Sequence, residues 1–173
     1  SFHGGTEWVT GANFLLENVP QGDESYVKIL IDCGMYQGSE EAQAMNYADF
    51  EYNPEEIDIL IITHAHADHI GRVPKLVKDG FKGKIYSTDA SFAITKIMLE
   101  DSLNIINYEA KKKNIEPLYS QADVNKALEL WKTVSFHDPI SLPGGFTVTL
   151  YQAGHILGSA MAKFNYGSKN ILF

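Results

Sequence analysis

The chain of 173 residues contains a single cysteine, Cys33, so no internal disulfide can form. That suits a reducing compartment, and we expect a cytoplasmic protein. There is no run of about 18 apolar residues, which argues against a membrane-spanning helix. The first residues show no basic stretch followed by an apolar segment, so no secretory signal is visible in them. Positive charge is scarce: 14 Lys and Arg stand against 22 Asp and Glu, a formal net charge of −8. A surface of that sign repels nucleic acid in bulk and argues against non-specific coating of it. It does not argue against a phosphodiester site centred on divalent cations, which reverse the sign locally. Repeats, low-complexity tracts and flexible linkers are also missing, so we expect one domain.

What is present suits a packed domain. Apolar residues make up 45% and charged residues 21% of the chain, and the length allows a real core. Residues 12–18 and 27–33 have strand character, and Gln21-Gly22-Asp23 between them marks a hairpin turn. Asp32-Cys33-Gly34 closes the second strand. Residues 57–62 form a third strand, apolar except for Asp58 and suited to burial on both faces. Residues 69–79 show helical spacing through Ile70, Val73, Leu76 and Val77, ended by Gly80, with Pro74 placed early. A short strand at 84–87, a long helix or two over 89–113 and a helix at 121–131 follow. Strands at 145–153, 159–166 and 169–173 complete an α/β (α+β) pattern. The last of these has no turn or cap after it, so it is either a natural end of the chain or the interior of a longer one.

The densest chemistry is His-Ala-His-Ala-Asp-His at residues 64–69. His64, His66, Asp68 and His69 are potential metal ligands, delivered to one point by the apolar strand before them. His64 and His66 are two apart, so on extended backbone they face the same way and can bind one ion. Asp68 and His69 lie where the loop turns into a helix and can face a second. Imidazole and carboxylate suit zinc, or manganese or iron where oxygen donors are added. The alternative is a set of solvated loop histidines with Asp68 capping the helix. Three of the chain's six His within six residues weigh against it.

A third imidazole for the first ion is expected from His155, in Ala153-Gly154-His155-Ile156-Leu157-Gly158-Ser159-Ala160 between two strands. The glycines permit tight turns there. His3 and His137 are expected to be structural. Asp32 either accepts a hydrogen bond from a ligand His and fixes its tautomer, or bonds its own backbone in a turn. Thr63 is either a helix cap or a hydroxyl behind the ligands. Lys75, Lys78, Lys82 and Lys84 are expected on a solvated face, and Lys111-Lys112-Lys113 at the exposed end of a helix.

These stretches resemble one family. Thr63 to Gly71 matches the H-x-H-x-D-H motif of the metallo-β-lactamase superfamily. Val9 to Glu17, Asp32 to Gly38, Glu116-Pro117-Leu118-Tyr119, Phe136-His137 and Ala153 to Ala160 narrow the resemblance to its β-CASP branch, the RNA-processing nucleases. The resemblance implies an αββα sandwich of which residues 1–173 are the N-terminal part, with the β-CASP domain absent. It implies an Asp just after Phe173 that bridges two metals, and so an incomplete ligand set.

The function implied is metal-dependent hydrolysis of RNA phosphodiesters by the full-length protein, with two zinc ions. His64, His66, Asp68, His69 and His155 would be metal ligands. Asp68 would also orient the attacking hydroxide, and Asp32 would hold the ligands, making these two the catalytic candidates. The piece alone is expected to be inactive or very weak, and exposed apolar surface to make it self-associate or leave it marginally stable. A thioester or lactone hydrolase on the same fold fits the motif at 64–69 equally but the other segments less well. A metal-free interaction module is disfavoured by the intact ligand residues.

Overall fold

A computed structural model describes residues 1–5, 8–20 and 25–173. The strands β1 (Phe2–Gly4), β2 (Asn13–Glu17), β3 (Lys28–Ile31) and β4 (Ile59–Ile61) come first, with helix α1 (Glu40–Met45) between β3 and β4. Next are α2 (Ala67–Ile70), α3 (Val73–Lys78), β5 (Lys84–Thr88), α4 (Asp89–Lys113) and α5 (Gln121–Glu129). The chain continues through β6 (Trp131–Val134), β7 (Ile140–Ser141), β8 (Phe146–Gln152), β9 (Ala160–Tyr166) and β10 (Lys169–Leu172).

Strands β1 to β6 lie side by side in sequence order in one sheet. β2 and β3 are antiparallel with Leu15 opposite Leu30. The turn expected at Gln21-Gly22-Asp23 lies outside the described residues. β3, β4, β5 and β6 are parallel. The second sheet is antiparallel in the order β10-β9-β8-β7.

The apolar pattern of β3 and β4 explains the layering. Side chains alternate across a sheet. Leu30, Leu60 and Ile62 face a core built with Ile70, Leu76, Leu99, Leu103 and Val124 from the helices. Ile29, Ile31, Ile59 and Ile61 face the other way, against Val148, Leu150, Ala162 and Phe164 of the second sheet. A strand covered on both faces must be apolar on both, as expected for 57–62. The layers are therefore helices, sheet and sheet. Phe173 follows β10 and reaches across this second core, its ring 5.8 Å from that of Phe14.

Two local expectations are corrected. Residues 69–79 are not one helix. The Arg72 N–H donates to the Cys33 carbonyl at 2.9 Å, outside any helix, and Pro74 has no N–H to give. The chain therefore breaks between α2 and α3. Lys75 is buried rather than solvated: its ammonium bonds Asp79 at 2.5 Å and sits 4.4 Å from the Phe50 ring centre. By contrast 89–113 is one helix, ended by Asn114 in left-handed backbone after the three lysines.

Candidate metal centre

The site lies at the C-terminal ends of the parallel strands β3 and β4, where open α/β sheets usually carry ligands. After Ile62 the chain leaves the sheet, and residues 63–66 run across this end into α2. Three backbone bonds fix α2 in place. The N–H groups of Ala12, Cys33 and Met35 donate to the carbonyls of Asp68, His69 and Ala67 at 2.9, 2.8 and 2.9 Å. The approach is so close that a Cβ on Gly34 would lie 1.5 Å from the Asp68 carbonyl oxygen. Gly34 thus does more than turn the chain: it lets the loop after β3 lie against Asp68 and His69.

Asp32 stands directly behind that loop. It is only 2% exposed and has φ +57°, a left-handed backbone that a short polar residue tolerates. Its Oδ1 accepts the Thr63 N–H at 2.8 Å. Its Oδ2 accepts the Thr63 hydroxyl at 2.7 Å and the His69 Nδ1–H at 2.7 Å. The carboxylate bonds across to other elements rather than to its own turn. Thr63, with its hydrogen committed to Asp32, can accept from His64 Nδ1 at 3.0 Å. That leaves a lone pair on Nε2 of both His64 and His69. Thr63 caps nothing: the N-cap of α2 is His66, which makes no side-chain cap bond, and Asp68 lies within the first turn.

His64 Nε2 and His155 Nε2 both lie 3.1 Å from His66 Nδ1. Three imidazole nitrogens, all within 4.8 Å of one another, converge from the loop after β4 and the loop before β9. A tetrahedral zinc site with Zn–N bonds of about 2.0–2.1 Å has nitrogens about 3.3 Å apart. The donor set therefore fits such an ion. Asp68 and His69 lie alongside, with Asp68 Oδ2 3.7 Å from His69 Nε2. Among the described residues these two have no third donor grouped with them.

Electrostatics separate the two inner imidazoles. Burial, with the His69 charge beside it, lowers His64 to about 4, which keeps it neutral and able to coordinate at pH 7. Burial also pulls His69 down, but the Asp32 hydrogen bond and the charges of Asp32 and Asp68 raise it above its ordinary value.

All the expected ligands gather here. His3 and His137 do not: His3 pairs with Glu51 at 2.9 Å, and His137 packs on the Tyr151 ring. The residues that hold the His155 loop were not legible. Ser159 Oγ accepts the N–H groups of His155 and Ile156, and the Ala160 N–H donates to the Thr63 carbonyl at 2.9 Å. A hydroxyl inside a motif carries no mark of which backbone group it meets.

Residues 22–173 match the model of the metallo-beta-lactamase superfamily domain. The chain belongs to this superfamily. A ribonuclease of Thermus thermophilus is 39% identical over 133 residues, covering 77% of this chain and 28% of that protein. Cleavage and polyadenylation specificity factor 73 of Drosophila melanogaster is 36% identical over 147 residues, covering 84% of this chain and 21% of the factor. The transcription termination factor FttA of Methanococcus maripaludis is 32% identical, covering 96% of this chain and 25% of that protein. The resemblance to the β-CASP branch is borne out by these relatives. The chain spans roughly a quarter of their length. A metallo-beta-lactamase from Cronobacter sakazakii shares the fold, with a TM-score of 0.54 at 17% identity over 95% of this chain and 57% of its own. The metallo-beta-lactamase fold protein YhfI from Bacillus subtilis does so with a TM-score of 0.52 at 17% identity, over 94% and 53%. Among the described residues no helix is long and apolar enough to cross a membrane.

Proposed function

We propose that residues 1–173 form the metal-binding part of a hydrolase that cleaves RNA phosphodiester bonds. One observation carries the reading: the convergence of His64, His66 and His155 beside Asp68 and His69. A relative named ribonuclease supports RNA as the substrate class. Zinc suits the three imidazoles best, with manganese or iron possible where carboxylates add oxygen donors.

When bound, the metal ions supply Lewis acidity toward the phosphate oxygens and a water of lowered pKa. The residues of the chain do the rest. His64, His66 and His155 would hold one ion, and Asp68 and His69 would contribute to a second. Asp32 keeps the His69 proton on Nδ1, so Nε2 faces the site. Thr63 does the same for His64. Asp32 is buried and would act through these partners, whereas the half-buried Asp68 would be the carboxylate that orients water.

Asp68 and His69 alone hold a second ion weakly. We therefore expect the 173-residue chain by itself to turn RNA over slowly, with a further donor supplied elsewhere in the full-length protein. The test uses full-length protein stripped of metal and reloaded with zinc or manganese. Labelled RNA, a thioester and a lactone are offered in parallel. RNA cleavage that His66→Ala and chelation both abolish supports the reading. Thioester or lactone turnover without RNA cleavage overturns it in favour of another hydrolase on this fold.

A further inference from the structure

The three rings that would face the first ion are not held alike. His64 is tied through Nδ1 to Thr63, and the neighbouring His69 through Nδ1 to Asp32. Among the described residues the His155 ring has hydrogen-bond or ring contacts with His64 and His66 alone. Its direction must therefore come from the backbone beneath it. That backbone is the loop 153–159, which joins β8 to β9 and has left-handed glycines at Gly154 (φ 72°) and Gly158 (φ 82°).

Two groups of buried hydroxyls close the loop. Ser159 Oγ accepts the His155 N–H at 3.0 Å and the Ile156 N–H at 3.1 Å. The Gly158 carbonyl accepts the Thr88 hydroxyl at 2.7 Å and the Ser91 hydroxyl at 2.9 Å, both from the N-terminal end of α4. The contact is tight: a Cβ on Gly158 would lie 2.5 Å from the Ser91 nitrogen. Ser159, Thr88 and Ser91 are buried, and their hydroxyls bond backbone groups of the loop rather than an imidazole.

We infer that Ser159 is a positioning residue for metal binding, with Thr88 and Ser91 latching the same loop onto α4. The inference rests on the metal reading above. The Ser159 hydroxyl gathers two N–H groups of an outward-facing loop and so fixes where Nε2 of His155 points. In Ser159→Ala those N–H groups turn to water and the loop loosens without unfolding the domain. The effect falls on one ligand. Metal affinity and coordination geometry change while the metal-free fold does not.

The experiment is cobalt(II) titration of metal-stripped full-length protein, followed by its visible absorption and by competition with a chelator. Ser159→Ala is expected to bind about tenfold more weakly, the lower end of what loss of a supporting partner costs a metal site. Its cobalt spectrum should shift and its metal-free melting temperature should stay. Ser159→Thr, which keeps the oxygen, should restore both affinity and spectrum. Ser91→Ala should give a smaller loss in the same direction, a second reading if Ser159→Ala folds poorly. Wild-type affinity and spectrum in both Ser159→Ala and Ser91→Ala would overturn the inference and leave the metal centre standing. A loss matched by lower metal-free stability, and not restored by Ser159→Thr, would also overturn it. If wild-type protein bound no cobalt, the metal reading itself would fall.

Discussion

The buried carboxylate of Asp32 stands 2.7 Å from Nδ1 of His69 and, through the same oxygen, 2.7 Å from the hydroxyl of Thr63. One acidic side chain at the end of β3 thus orients Thr63 on the loop after β4 and His69 on α2. Asp32→Asn replaces an acceptor with an amide that cannot satisfy all three donors. We expect it to cost about 2–3 kcal/mol of stability and about 10–100-fold in metal affinity. Denaturant unfolding and metal competition check the two numbers separately. Unchanged affinity in a folded variant would contradict the orienting role.

Gly34→Ala tests the close approach of the loop after β3 to α2. The new methyl would meet the Asp68 carbonyl at 1.5 Å, so backbone must move. Overpacking of this kind costs about 3 kcal/mol. Asp68 and His69 are the residues displaced, so zinc binding should weaken as well. A variant with wild-type unfolding and zinc affinity would show that the loop has room to spare.

The two inner imidazoles give metal-stripped protein opposite pH dependences. Folded His64 is lowered to about 4, chiefly by burial, and an unfolded His titrates near about 6.5. Between those values the unfolded chain binds the proton and the folded chain does not. Stability therefore falls as pH drops through that window. His69 is raised, so its contribution is fully present below the unfolded value and fades as pH rises through the folded one. His64→Gln should lessen the acid loss between pH 6.5 and 4 by about 1–2 kcal/mol. His69→Gln should cost more stability at pH 6 than at pH 9. Urea unfolding at these pH values decides; parallel pH profiles for wild type and His64→Gln would sink the assignment.

β10 pairs only with β9 among the described residues, and its Leu172 is 60% exposed. An open strand edge with apolar side chains templates pairing with another chain. We expect the 173-residue chain to associate as its concentration rises in sedimentation velocity, and Leu172→Lys to lessen this. A monomer at every concentration would contradict it.

The residues gathered at the candidate site were legible because the chemistry is local. His64, His66, Asp68 and His69 are neighbours in sequence, and a strand that ends in them can only bring them together. His155 was legible through its glycine-flanked loop. Asp32 could be named, but its burial and its three donors depend on how β3 lies against β4, which spacing does not encode. The helix break at Arg72 was hidden for the same reason: its N–H is taken by Cys33, a residue from another element. Lys75 looked solvated because the Phe50 ring and Asp79 that receive it are set by packing rather than by periodicity.

The central claim is that three imidazoles hold one ion. Crystals of the zinc-loaded protein, measured on both sides of the zinc absorption edge, test it most directly. The account predicts an anomalous peak about 2.0–2.1 Å from Nε2 of His64, Nδ1 of His66 and Nε2 of His155. No peak there, or zinc bound only elsewhere on the molecule, would contradict it.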